Sequence, residues 1–224
     1  MLTRTTRVLC TAALAMTSLV GLGTSDALAA GSCSAWARLP AQVAIDRSDV
    51  LVTAPVVTNC TNYSAAAYLN GPSGNLAFLW YMDSSPTQTI DFSASFDKVG
   101  TYSTVFDNGY SDNGTGGVNW TPTSMTFKYG TWSYIASSRV GTAVYINTQV
   151  QQYTNTYAGV ISPAGRISYL QRYIGGTWQN MIALTSNSTG RWTAGFIQTK
   201  VYQYRILTHE NGTALSATSA STFR

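Results

Sequence analysis

One histidine, His209, is present in the 224-residue chain, so proton transfer near neutral pH has a single imidazole to draw on. A Ser-His-Asp set can be assembled in space from distant segments, but no G-x-S-x-G elbow presents a nucleophilic serine. "HENGT" at 209–213 opens like the zinc-protease motif and lacks its second histidine, so zinc hydrolysis has little support. His209 and Glu210 read instead as a solvated strand end. Two placed carboxylates would serve a glycosidase. Asp91, Asp97, Asp107 and Asp112 all fall in the first half, and nothing in their spacing sets two of them apart. Asp107 and Asp112, with Asn108 and Asn113 between glycines, offer hard oxygen ligands on a tight stretch, yet the closing glutamate of the twelve-residue calcium loop is missing. Polar turn chemistry accounts for them. The expectation is a chain that is not an enzyme, with no catalytic residue, no metal and no cofactor.

Six tryptophans and 14 tyrosines make a different chemistry available. Flat rings beside Asn, Gln and Arg can stack on and hydrogen-bond to a polysaccharide with no charged centre. The second half carries such residues in "QVQQYTNTY", "YLQRY" and "RWTAGFIQ", and Tyr173, Trp178 and Trp192 are the candidate ligand-binding residues. Alternation turns half of the residues of any strand outward, so a solvated face is the competing account. For the hairpin "RYIGGTWQNM" at 172–181 the competing account is Trp178 packed under the core.

The elements that must position these rings are strands. β-Branched and aromatic residues alternate with polar ones over most of the chain, as in "DVLVTAPVV", "LAFLWY", "SMTFKY", "RISYLQRY" and "TALSATSAS". Glycine and asparagine fall between the runs, in "NGPSGN", "SPAG", "IGGT" and "ENGT", where turns require positive φ. About seven short strands per half is the pattern of a β-sandwich. The expected organisation is a signal peptide at 1–30, a first immunoglobulin-like sandwich at 31–129 and a second at 130–224.

The signal peptide is read from Arg4 and Arg7, an apolar middle, and "ALAA" as a cleavage site near Ala30. No later stretch is long and apolar enough to span a bilayer. Two cysteines then remain, Cys33 and Cys60, and in an exported chain an even pair reads as a disulfide, worth roughly 3 kcal/mol for a loop of that length. A net charge of +4 is too weak to argue for nucleic acid. The charges are divided, however. Seven aspartates lie between Gly31 and Pro122, whereas from Thr123 onward only Glu210 opposes eight basic residues.

"DKVGTYSTVF", Asp97 to Phe106, resembles the corner before a late strand of immunoglobulin-like domains, where an acid, a glycine and a tyrosine precede the strand. The resemblance implies that Tyr102 is the corner tyrosine and that Trp80 is the buried tryptophan of an earlier strand. No cysteine follows Tyr102, so the antibody disulfide topology is not implied. In the second half, Arg139 to Gly141 opening a strand, then "GRISYLQR", the Gly-Thr-Trp hairpin, the "STGRW" turn and "YQYR" together look like the immunoglobulin-like modules of secreted actinobacterial proteins. That resemblance implies a fold and an extracellular or envelope address, and it carries over no catalytic residues. The function expected is extracellular binding or structural support, with a polysaccharide as the first partner. The alternatives are a protein partner, for an adhesin or inhibitor, and, after it, a glycoside hydrolase.

Overall fold

The computed structural model describes residues 33–112, 117–156 and 159–224; the expected signal peptide and Asn113 lie outside them. Among the described residues, the regular elements are all strands. In the first sandwich one sheet runs in the order β6 (Thr87–Ser93), β3 (Asp49–Thr58), β1 (Cys33–Ala37), β8 (Val118–Trp120). The other runs β2 (Gln42–Ile45), β9 (Ser124–Tyr129), β7 (Gly100–Tyr110), β4 (Ser64–Gly71), β5 (Gly74–Met82). Alternation decides what lies between them. Ile90 and Phe92 of β6 and Tyr102 of β7 are buried while their chain neighbours face out. The Phe92 ring stacks on Phe127 of β9 at 4.3 Å, and Tyr102 meets Phe127 edge-on at 5.6 Å, so three rings join the two sheets.

Tyr102 is the corner tyrosine. Its hydroxyl donates to the Lys98 carbonyl at 2.8 Å and lies 2.8 Å from Ser73 Oγ. Gly71 is required beneath it, because a Cβ there would sit 2.4 Å from the ring. The buried tryptophan is not Trp80, which is 52% exposed and donates through Nε1 to Ser64 Oγ. Leu79 and Tyr81 turn inward on β5, so the parity of the strand sends Trp80 out. The core position is filled by Trp120 of β8, held between the Tyr81 and Phe106 rings and donating to Thr104 Oγ1. Cys33 and Cys60 are bonded to each other at the end of this sandwich remote from Gly130.

In the second sandwich β10 (Thr131–Val140) and β15 (Arg191–Ile197) flank β11 (Ala143–Thr154), whose end also pairs with β12 (Gly159–Ile161). The facing sheet runs β14 (Thr177–Thr185), β13 (Ile167–Ile174), β16 (Gln203–Thr208), with β17 (Ala217–Thr218) and β18 (Thr222–Phe223) both on β16. Val144, Ile146, Leu170, Trp192, Tyr204 and Ile206 form its core. "TALSATSAS" is therefore not one strand but contributes a two-residue ladder. Ser219 interrupts it by accepting the Ile206 N–H on its hydroxyl, a side-chain bond that competes with strand pairing. The described residues are all-β, two immunoglobulin-like sandwiches in tandem.

No sheet mixes strands before Gly130 with strands after it. The join is made by backbone: Tyr129 donates to the Thr213 carbonyl and accepts from the Leu215 N–H, while Gly130 donates to Ile45 and accepts from Tyr153. Glu210 beside it receives Lys128 Nζ and Gln42 Nε2. The hydrogen bond from Lys128 holds the Glu210 carboxyl below the usual carboxylate range. Arg166 is buried and donates to the His209 and Leu215 carbonyls, at 2.7 and 3.2 Å, pinning the same loop from the other side.

Tyr102→Phe is expected to cost about 1–2 kcal/mol in urea unfolding, the loss of a buried hydroxyl with two partners; an unchanged midpoint removes the corner from the stability of the fold. The Glu210 carboxyl titrates lower when folded than when unfolded. Its pair with Lys128 thus stabilises above about pH 4.3, the ordinary glutamate value, and that contribution is lost as the pH falls through the folded value. Wild type and Glu210→Gln should differ by at most about 1 kcal/mol at neutral pH, because the pair is part-exposed, and should converge in acid. A difference that persists at low pH contradicts the pairing.

Candidate functional site

The three rings singled out by the sequence occupy three different environments. Trp192 is 8% exposed and lies in the core of the second sandwich, so its ring is closed to any ligand. This corrects the expectation, and the reason is parity: on β15 Arg191 and Thr193 face solvent, which turns Trp192 inward. Tyr173 and Trp178 face each other across the β13–β14 ladder on the outer side, with ring centroids 5.1 Å apart. The Arg205 guanidinium covers Trp178 at 4.2 Å from the ring centroid and donates to Gln171, which in turn donates to Asn180 Oδ1. Tyr173 is 39% exposed, but Trp178 already has a cation on its ring.

A better-formed site lies on the outer face of the opposite sheet. Register places three rows across its three longest strands: Tyr134–Gln149–Arg191, then Ala136–Asn147–Thr193, then Ser138–Tyr145–Gly195. The middle row is short, and a groove of about 380 Å³ follows it. Tyr134, 50% exposed, lines the groove, and Tyr145, 44% exposed, stands in the row on the other side of Asn147. The Tyr145 ring lies over Gly195, where a Cβ would meet it at 3.4 Å, an ordinary contact. On the floor Thr193 donates to Asn147 Oδ1 at 2.9 Å, which leaves the Asn147 amide N–H groups for an outside acceptor. Gln149 contacts Ser162 at 3.2 Å and Arg191 at 3.5 Å. Arg191 has no carboxylate partner among the described residues. Two rings, an amide floor and a guanidinium can stack on and hydrogen-bond to a hydroxyl-rich ligand.

The parity of "TWSYIAS", "TAVYINTQV" and "RWTAGFI" shows these side chains as outward. That Ala136, Asn147 and Thr193 align into one low row depends on the pairing register, which no single segment carries. The first sandwich also shows aromatic surface: Phe78 and Trp80 are exposed on the outer side of β5, with Tyr68 against Phe78.

Of the titratable candidates, His209, Asp97 and Asp107 are engaged in structure. The His209 ring meets Tyr169 edge-on at 4.8 Å. Asp46 pairs with Arg47, Asp97 accepts the Ser93 N–H and Asp107 accepts from Asn108. Among the described residues no three His, Cys, Asp or Glu gather around a point.

No family model and no curated protein matches the chain. Among solved structures it is similar to a tetra-tandem repeat from the extending region of a large adhesion protein, at 10% identity and a TM-score of 0.33, over 86% of this chain and 49% of that one. It is also similar to the D0-D1 domain of Intimin, at 13% identity and a TM-score of 0.29, over 84% and 96%. A third similarity, to the BSP domain of a biofilm associated protein, has 11% identity and a TM-score of 0.28, over 84% and 28%. The chain spans about half the length of the adhesion-protein repeat and under a third of the biofilm protein. Scores of this size carry no functional assignment.

Arg205→Ala is expected to uncover Trp178, raising its quenching by acrylamide at a stability cost of about 1 kcal/mol. Unchanged quenching would show that the ring is shielded by something other than the guanidinium.

Proposed function

We propose that the chain is an exported, non-enzymatic protein that works in or outside the cell envelope and holds a polysaccharide in the outer groove of its second sandwich. The observation that carries this is the row of Ala136, Asn147 and Thr193 lying low between the exposed Tyr134 and Tyr145. Tyrosine rings offer faces to the apolar side of a sugar, and the amide and guanidinium between them offer donors to its hydroxyls. The Cys33–Cys60 bond fits an oxidising compartment, in keeping with the leader read at 1–30 and with the likeness of the second half to secreted actinobacterial modules. The absence of activity is part of the proposal: the single histidine packs on a tyrosine, and most of the carboxylates already accept hydrogen bonds within the fold.

A second reading, a protein-binding module, draws on the exposed Phe78 and Trp80 of the first sandwich. Retention on insoluble peptidoglycan, chitin and cellulose separates the two. The purified protein is expected to be retained on at least one polymer, with Tyr134→Ala and Tyr145→Ala each weakening retention about tenfold, or ~1.4 kcal/mol, and with Trp178→Ala close to wild type. No retention on any of the three overturns the groove reading. Loss only in Trp80→Ala transfers the contact to the first sandwich.

A further inference from the structure

The strand directions give each sandwich a far end, remote from Gly130, and the two far ends are unlike. In the first sandwich β4 begins, and β5 and β7 finish, at that end. A groove of about 310 Å³ opens there between Tyr63, Asp83, Tyr110 and Asp112. Tyr63 and Asp83 also line an adjoining groove, on whose far side stands Arg38. Asp83 and Asp112 make no ion pair among the described residues, and Tyr110 is one of the exposed large side chains of the molecule. The end is thus acidic, aromatic and concave.

In the second sandwich β10 finishes at Val140, β11 begins at Ala143 and β15 finishes at Ile197, and these three residues form one row on the outer face. Val140, Ile197 and the nearby Val201 are among the most exposed aliphatic side chains of the chain. Arg139 builds this end: its guanidinium donates to the carbonyls of Gly141, Gln198 and Lys200, fastening the β10–β11 turn to the loop after β15. Lys200 is exposed beside it. The only acidic side chain after Gly130 is Glu210, and it is spent at the join between the sandwiches. This end is basic and aliphatic.

We propose that the two ends dock on each other between copies, the Val140–Ile197–Val201 end of one chain entering the Tyr63–Asp83–Tyr110–Asp112 groove of the next. The occupant is a second copy because this chain itself supplies the complement: aliphatic side chains for an aromatic-walled groove, and an unopposed lysine for two unopposed carboxylates. The contact joins two different surfaces, so each added copy exposes a fresh groove and a fresh basic end. Such a heterologous contact builds an open chain unless its rotation happens to close a ring. The proposal stands on other residues than the carbohydrate groove and does not depend on it.

Sedimentation velocity over a range from micromolar to millimolar protein, at low and at high salt, tests it. The expected result is reversible growth beyond the monomer that weakens as salt screens the contact. Lys200→Glu and Asp83→Lys are both at exposed positions compatible with folding. Each alone should weaken association about tenfold, and an equimolar mixture should restore it, because the reversed end of one variant then meets the reversed groove of the other. Ile197→Ser should weaken it without altering the salt dependence. A monomer at every concentration at low salt overturns the proposal, as does an association that neither charge reversal touches or that the mixture fails to restore.

Discussion

Everything in the arrangement of the two sandwiches depends on the backbone pairing at Tyr129 and Gly130. The last strand of the first domain does not hand over to a linker. Tyr129 is bonded on both its N–H and its carbonyl to the segment 213–215 of the second domain, and Gly130 is bonded to Ile45 on one side and to Tyr153 on the other. A side chain at 130 would press on Asp46 and the Ile45 carbonyl at 3.3 Å. Tyr153, a residue of the second sandwich, is buried with the core of the first. Peptide groups at this join are satisfied across the boundary rather than by solvent, so separating the sandwiches would strand several donors and acceptors at once.

Against that fixed join, side-chain parity distributes the aromatic residues. Phe92, Tyr102, Phe127, Trp120 and Trp192 are spent on packing. Trp80, Tyr134 and Tyr145 are left outside, and Trp178 is held between an arginine and a tyrosine. One buried group runs against the pattern. Arg166 has no carboxylate partner among the described residues, and burial lowers the pKa of its guanidinium from the ordinary value. Its hold on two carbonyls of the loop that bears Glu210 offsets part of the cost of burying a charge.

Much of this fold was legible in the residues. Alternation located most of the strands, the Asp-x-x-Gly-x-Tyr corner pointed to Tyr102, and an even pair of cysteines pointed to the bond they make. Trp80 and Trp192 were misread although the necessary information was present: on a strand a residue's face follows from its neighbours, and Leu79 and Tyr81, or Arg191 and Thr193, decide it. Trp120 was missed because its strand is three residues long and pairs in parallel with β1, too short to show a period. The groove was beyond reach for another reason. Its shape comes from the β10–β11 hairpin and a third strand, β15, that follows after a long stretch of other strands, all meeting in one register, and register is fixed by pairing across the sheet rather than by any one strand.

The side chains of Tyr134, Ala136, Asn147, Gln149, Arg191 and Thr193 along the groove all point away from the core. Ala136, Asn147, Thr193 and Gly195 can be exchanged without a cavity or an overpacked ring forming on the other side of the sheet, and changes at such surface positions usually move stability by no more than about 0.5 kcal/mol. If the groove is the binding face proposed above, recognition and folding draw on disjoint sets of side chains. A lineage carrying this scaffold can rewrite what the face presents one strand position at a time, and the inner rows need not register the change.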